Sequence, residues 1–157
     1  MAKEFSFADL NKEMSKHSTY GETLDKSTIS EIDHYIPTGN FNLNACLTGS
    51  LFGGYPNNRA VALAGPSGTG KTYLILNAIK QAQQQGYSIV FYDSENAVDK
   101  ALVEKFGIDA SKFRYEPCNT VQEFRTSVTA ITDVLVEQKA KGITLPKIMV
   151  VLDSAGN

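Results

Sequence analysis

Three stretches of the chain hold only apolar or aromatic side chains, at residues 60–64, 89–92 and 148–152. A strand covered on both faces needs such continuity, whereas a half-exposed strand alternates. The runs predict buried strands over 60–64, 88–92 and 147–153, with 113–115 as a shorter fourth. Elsewhere the apolar spacing changes to that of a helix. One helix is predicted from Lys71 to Gln85, stopped by Gly86, and another from Asp99 to Phe106, closed by Gly107. A long amphipathic helix starts at Val121 and carries Phe124, Val128, Ile131, Val134 and Leu135 on its apolar face. Phe5, Phe7, Leu10 and Met14 suggest a short helix near the N-terminus, packed either on this chain or on a neighbouring subunit. Residues 35–58 read as irregular entry segments. Strands alternating with helices imply an α/β fold, a mostly parallel sheet with helices on both faces.

Composition adds little and excludes some classes. The 157 residues fit one domain, and 42% hydrophobic with 20% charged residues suffices for a core. A net charge of −2 gives no overall basic excess for nucleic acid or membrane surfaces. Cys46 and Cys118 show no metal-type spacing and are expected to be buried, reduced thiols. His17 and His34 are isolated and expected to be solvated or structural. Without a signal-like or membrane-length apolar segment, a cytoplasmic location is expected.

The chemistry concentrates between the first two apolar runs. Gly65-Pro66-Ser67-Gly68-Thr69-Gly70-Lys71-Thr72 follows the spacing of a phosphate-binding loop, with a predicted strand before it and a helix after it. Gly65, Gly68 and Gly70 allow the backbone to curl so that successive N–H groups face an anion. The first turn of the following helix adds unsatisfied N–H groups and a positive dipole end. Lys71 is placed to reach the β- and γ-phosphates of ATP, and the Thr72 hydroxyl to take a position on Mg²⁺.

Acidic residues close the other two runs. Asp153 stands where an acidic residue holds the Mg²⁺ shell, directly or through water. Asp93 and Glu95 follow a strand expected to lie beside the phosphate-loop strand. Ligands of open α/β sheets gather at the carboxyl ends of strands, so either carboxylate could act on an attacking water; two solvated loop acids are the alternative.

Taken together, these pieces resemble the front of the RecA-family ATPase core, and in particular the UvsX-type phage recombinases. The resemblance rests on Ile36-Pro37-Thr38-Gly39, Leu47-Thr48-Gly49, the phosphate loop, Phe91-Tyr92-Asp93-Ser94-Glu95, Phe106-Gly107-Ile108-Asp109 and Val150-Val151-Leu152-Asp153-Ser154-Ala155-Gly156-Asn157. It implies a RecA-like P-loop NTPase fold, Glu95 as the glutamate that activates water, and Asp153 as the Walker B aspartate. Asp99 falls where relatives place an Asp near adenine, whereas Leu102 replaces their base-stacking tyrosine.

The resemblance further implies a DNA-dependent ATPase that forms homo-oligomeric filaments on single-stranded DNA for homologous pairing, strand exchange and recombinational repair. Residues 1–34 would be a helix and tether, a possible protomer-docking arm, and 35–157 the N-terminal part of the ATPase core. The family's DNA-binding loops match no positions here, and the chain reads as truncated after the Walker B strand. Weak or absent hydrolysis is expected of it alone. The alternatives are another RecA-fold motor of the hexameric helicase type, or a non-catalytic module that regulates filaments of an intact homologue.

Overall fold

The computed structural model describes residues 5–18, 21, 23–27 and 31–154. In chain order these form α1 (Phe7–Met14), β1 (Tyr35–Ile36), α2 (Phe41–Thr48), β2 (Tyr55–Pro56) and α3 (Lys71–Gln84). There follow β3 (Tyr87–Asp93), α4 (Lys100–Lys105), a 3-10 turn (Ala110–Lys112), β4 (Phe113–Pro117), α5 (Val121–Ala140) and β5 (Lys147–Asp153). The three longer strands make one parallel sheet in the order β4-β3-β5.

Strand β3 is central, and its side chains alternate between two cores. Ile89 and Phe91 face one layer, where Leu76, Ile79 and Ala82 of α3 meet Val103 of α4 and Val151 of β5. Val90 and Tyr92 face the other, closed by Cys118 and by Phe124, Val128 and Ile131 of α5. Tyr92 meets Phe124 edge-on at 5.0 Å and shares a 2.8 Å hydrogen bond with Ser127. Helices therefore cover both faces, and the α/β architecture expected from the sequence is the one observed. Local sequence signals fix the ends of α5 and α4. Thr120 and Glu123 form a capping box on α5, and the Asp99 carboxylate caps α4.

Several expectations are corrected. Residues 60–64 form no strand, and Val61 is 44% exposed. Both neighbours of β3 are other strands, so the run preceding the phosphate loop does not lie beside it. Apolar continuity marks a segment suited to a strand but supplies no ladder partner, and without one residues 60–64 form no strand. The same order leaves β5 on an edge, where only Val151 and Asp153 are buried and Val150 is 43% exposed.

Residues 35–58 are ordered rather than irregular. β1 and β2 pair antiparallel around α2, which Asn40 caps at one end and Gly49, at φ +73°, ends at the other. Gly54 passes so close to β1 that a Cβ would collide with the Ile36 carbonyl. His34 is tied structurally, its Nε2 lying 2.6 Å from the Tyr87 hydroxyl.

Exposure differs from the sequence reading at three further places. Val134 lies on the open side of α5, at 56% exposure, whereas Ile131 and Leu135 on either side of it are partly buried. Cys46 is exposed on α2, and only Cys118 is buried. Helix α1 is begun by a Ser6–Asp9 capping box, yet none of its residues is buried and Phe7 is 71% exposed. Its apolar face is thus not packed into the core of this chain. Among the described residues no helix is long and apolar enough to cross a membrane.

Candidate nucleotide-binding site

The phosphate loop turns through two positive-φ glycines, Gly68 at +76° and Gly70 at +89°. Side-chain-bearing residues rarely adopt this region, which explains glycine at both positions. Gly65 is not in that region; there a Cβ would come within 3.0 Å of the Thr69 hydroxyl, itself bonded to the Pro66 carbonyl at 2.8 Å. Pro66 and Ser67 complete the exposed turn. Gly70 is the N-cap of α3, and among the described residues no side chain caps that helix. The first turn consequently presents bare N–H groups and the positive end of a 14-residue helix to solvent.

Two side chains of that first turn are engaged. Lys71 Nζ donates to the carbonyls of Gly65 (2.8 Å) and Pro66 (2.9 Å), which folds the ammonium across the loop. Thr72 Oγ1 donates to Asp153 Oδ2 at 2.7 Å, joining residues 81 positions apart. The parallel register sets Asp153 directly beside Asp93 at the carboxyl ends of β5 and β3. An uncapped helix start, a mobile-stem cation and a hydroxyl–carboxylate pair of hard oxygen donors suit a phosphate anion with a divalent cation.

The two acids after β3 separate in role. Asp93 is only 1% exposed, and its carboxylate accepts from the amides of Glu95 (2.9 Å) and Val98 (3.1 Å) and from the Tyr115 hydroxyl (3.2 Å). It is a turn anchor rather than a solvated acid or a base. The Tyr115 hydroxyl is pushed above its ordinary range by burial and by the Asp93 charge. Glu95 is exposed, and its Oε1 accepts from Ser154 Oγ at 2.8 Å. Ser154 is in turn gripped by Ser94, whose hydroxyl donates to the Ser154 carbonyl (3.0 Å) and accepts from its amide (3.1 Å). Ser94 N also donates to the Asp153 carbonyl at 2.9 Å.

Thus Thr72 meets Asp153, and Glu95 meets the residue after Asp153. Asp99 is engaged differently, its Oδ1 accepting from the Leu102 amide at 2.7 Å to cap α4. Sequence reasoning did not single out Ser94 and Ser154 as site residues. The available signal was a hydroxyl one position beyond each of two neighbouring strands.

A sequence profile described as the RecA N-terminal domain matches residues 2–154. The chain is 35% identical over 124 residues to Protein RecA of Bartonella quintana, covering 76% of this chain and 35% of that relative. It is 36% identical over 88 residues to Protein RecA of Lactobacillus delbrueckii subsp. bulgaricus, covering 56% of this chain and 26% of the relative. For Protein RecA of Bacteroides thetaiotaomicron the identity is 42% over 74 residues, covering 47% and 22%. The chain spans about a third or less of the length of these curated relatives. With the profile covering nearly all of its residues, the chain belongs to the RecA N-terminal domain family.

Proposed function

We propose that this chain is the ATP-binding part of a DNA recombinase that forms ATP-dependent filaments on single-stranded DNA for homologous pairing, strand exchange and recombinational repair. The observation that carries the reading is the 2.7 Å contact of Thr72 with Asp153 beside the uncapped start of α3. Family membership supports it. The Phe91-Tyr92-Asp93-Ser94-Glu95 stretch favours the UvsX-type phage branch.

In this reading the amides of residues 65–72 orient the phosphates, and Lys71 exchanges its loop carbonyls for the β- and γ-phosphate oxygens. Thr72 and Asp153 would hold Mg²⁺, which supplies charge neutralisation at those phosphates. Glu95, exposed just beyond β3, orients a water and accepts its proton. Asp99 approaches the adenine from the start of α4 through the carboxylate oxygen not used in capping. The match to this chain spans about a third or less of the length of the curated relatives, and on this reading the isolated chain binds ATP and turns it over weakly. The exposed apolar face of α1 docks on the next protomer, with residues 1–34 as arm and tether and 35–157 as core.

The test is ATP hydrolysis by the purified chain with and without single-stranded DNA, beside Lys71→Ala and Glu95→Gln. Weak turnover, reduced further by either substitution, is the expected result. DNA-stimulated turnover at the rate of an intact recombinase would refute the partial-core reading. Turnover indifferent to both substitutions would remove the proposed site.

A further inference from the structure

The contacts at the end of β5 carry an inference about how Glu95 is held, and it rests on the reading of Glu95 as the base. Glu95 lies on an exposed turn where a glutamate with free rotamers would sample many orientations. A base must instead stay within hydrogen-bond reach of one water. Two serines that belong to neither the phosphate loop nor the metal-type pair supply the restraint.

The β3–β5 ladder ends at the pair Asp93 and Asp153. One step further, Ser94 replaces the ladder with its side chain, donating to the Ser154 carbonyl and accepting from the Ser154 amide. Its own amide bonds the Asp153 carbonyl at 2.9 Å. These three bonds fix the backbone of residue 154 on β3. With that backbone fixed, the Ser154 hydroxyl points to Glu95 Oε1 at 2.8 Å. From below, Asp93 holds the Glu95 amide at 2.9 Å. Backbone and carboxylate of Glu95 are therefore restrained from two strands at once.

We infer that Ser94 and Ser154 are positioning residues that together aim the Glu95 carboxylate, Ser94 by holding Ser154 and Ser154 by direct donation. Among the described residues only Oε1 is engaged, which leaves Oε2 for a water. Because Asp153 and Ser154 are adjacent, the peptide that brings the carboxylate to Thr72 also brings the hydroxyl to Glu95. The metal-type pair and the base are thereby set in one frame.

The test is solution NMR on the whole chain as wild type, Ser154→Ala, Ser154→Thr and Ser94→Ala, reading Glu95 Hα–Hβ couplings and amide exchange at residue 154. Wild type and Ser154→Thr should show the unequal couplings of a single rotamer. Ser154→Ala should average them while the residue-154 amide stays protected. Ser94→Ala should average them and speed exchange at residue 154 roughly tenfold, as expected for loss of its hydrogen-bond acceptor. Identical Glu95 couplings in wild type and Ser154→Ala, whether single-rotamer or averaged, would overturn the proposal. ATP titration of the same samples separates the two ideas. A wild type that binds no ATP removes the nucleotide reading, while the couplings still decide whether the serines hold Glu95.

Discussion

Thr72 Oγ1 lies 2.7 Å from Asp153 Oδ2 and joins the first turn of α3 to the end of β5. The two side chains come from segments that share no strand pairing, since residues 60–64 do not enter the sheet. Neither residue is notable alone, for strands often end in Asp and helices often begin with Thr. Their contact makes the phosphate loop part of the sheet's carboxyl edge, where Glu95 also stands.

Asp93 holds that edge together. Its buried carboxylate accepts three hydrogen bonds, two from backbone amides. Asn can replace one accepting oxygen but turns an NH₂ group toward donors at the other. Asp93→Asn should cost about 2–3 kcal/mol, and Tyr115→Phe about 1 kcal/mol. Urea unfolding measures both, with the midpoint falling and the slope unchanged.

The tyrosines set an alkaline limit. Burial raises the hydroxyls of Tyr55 and Tyr87, aided at Tyr87 by the Asp33 charge; burial and Asp93 raise Tyr115. A group whose folded pKa lies above its unfolded value contributes stability below the unfolded pKa and loses it as pH rises through the folded one. Stability should therefore hold to about pH 10, the ordinary tyrosine value, and fall above it. Tyr55 is the diagnostic case, because its buried hydroxyl has no hydrogen-bond partner among the described residues. Tyr55→Phe should be neutral to stabilising by up to about 1 kcal/mol and should flatten the alkaline fall. Denaturant titrations at several pH values check both points.

Helix α5 should divide by face. Phe124 packs on Tyr92, whereas Val134 faces solvent. Phe124→Ala should destabilise by about 3 kcal/mol, and Val134→Ala by less than about 0.5 kcal/mol. Thermal melts distinguish them, and equal shifts would mean that the helix seats differently.

The sequence made the element types legible where periodicity was long or chemistry specific. α3, β3, α5 and β5 follow from their apolar patterns, and the loop around Gly68 and Gly70 from its spacing. What it could not give was adjacency. The run at 60–64 carries the apolar character of a strand, yet it pairs with neither outer edge of the sheet, and apolar character alone does not specify a ladder. Val134 lies on the predicted apolar face, but Ile131 and Leu135 take the partly covered positions there and leave it exposed. Asp93 and Glu95 look alike two residues apart, and only the turn that buries one and exposes the other separates them. α2 went unread because its ends rest on Asn40 and Gly49 rather than on a strong apolar stripe. Ser154 gains a role only once β5 is placed beside β3.

The most direct measurement of the central claim, an ATP and Mg²⁺ site at Lys71, Thr72 and Asp153, is calorimetric titration with ATP, with and without Mg²⁺. The account predicts that Mg²⁺ tightens binding to the wild type by roughly tenfold, a coupling of ordinary size between two linked ligands. Asp153→Asn should lose most of that gain, and Lys71→Ala should weaken binding in either condition. Equal affinity in the wild type and Lys71→Ala, or a Mg²⁺ effect untouched by Asp153→Asn, would contradict it.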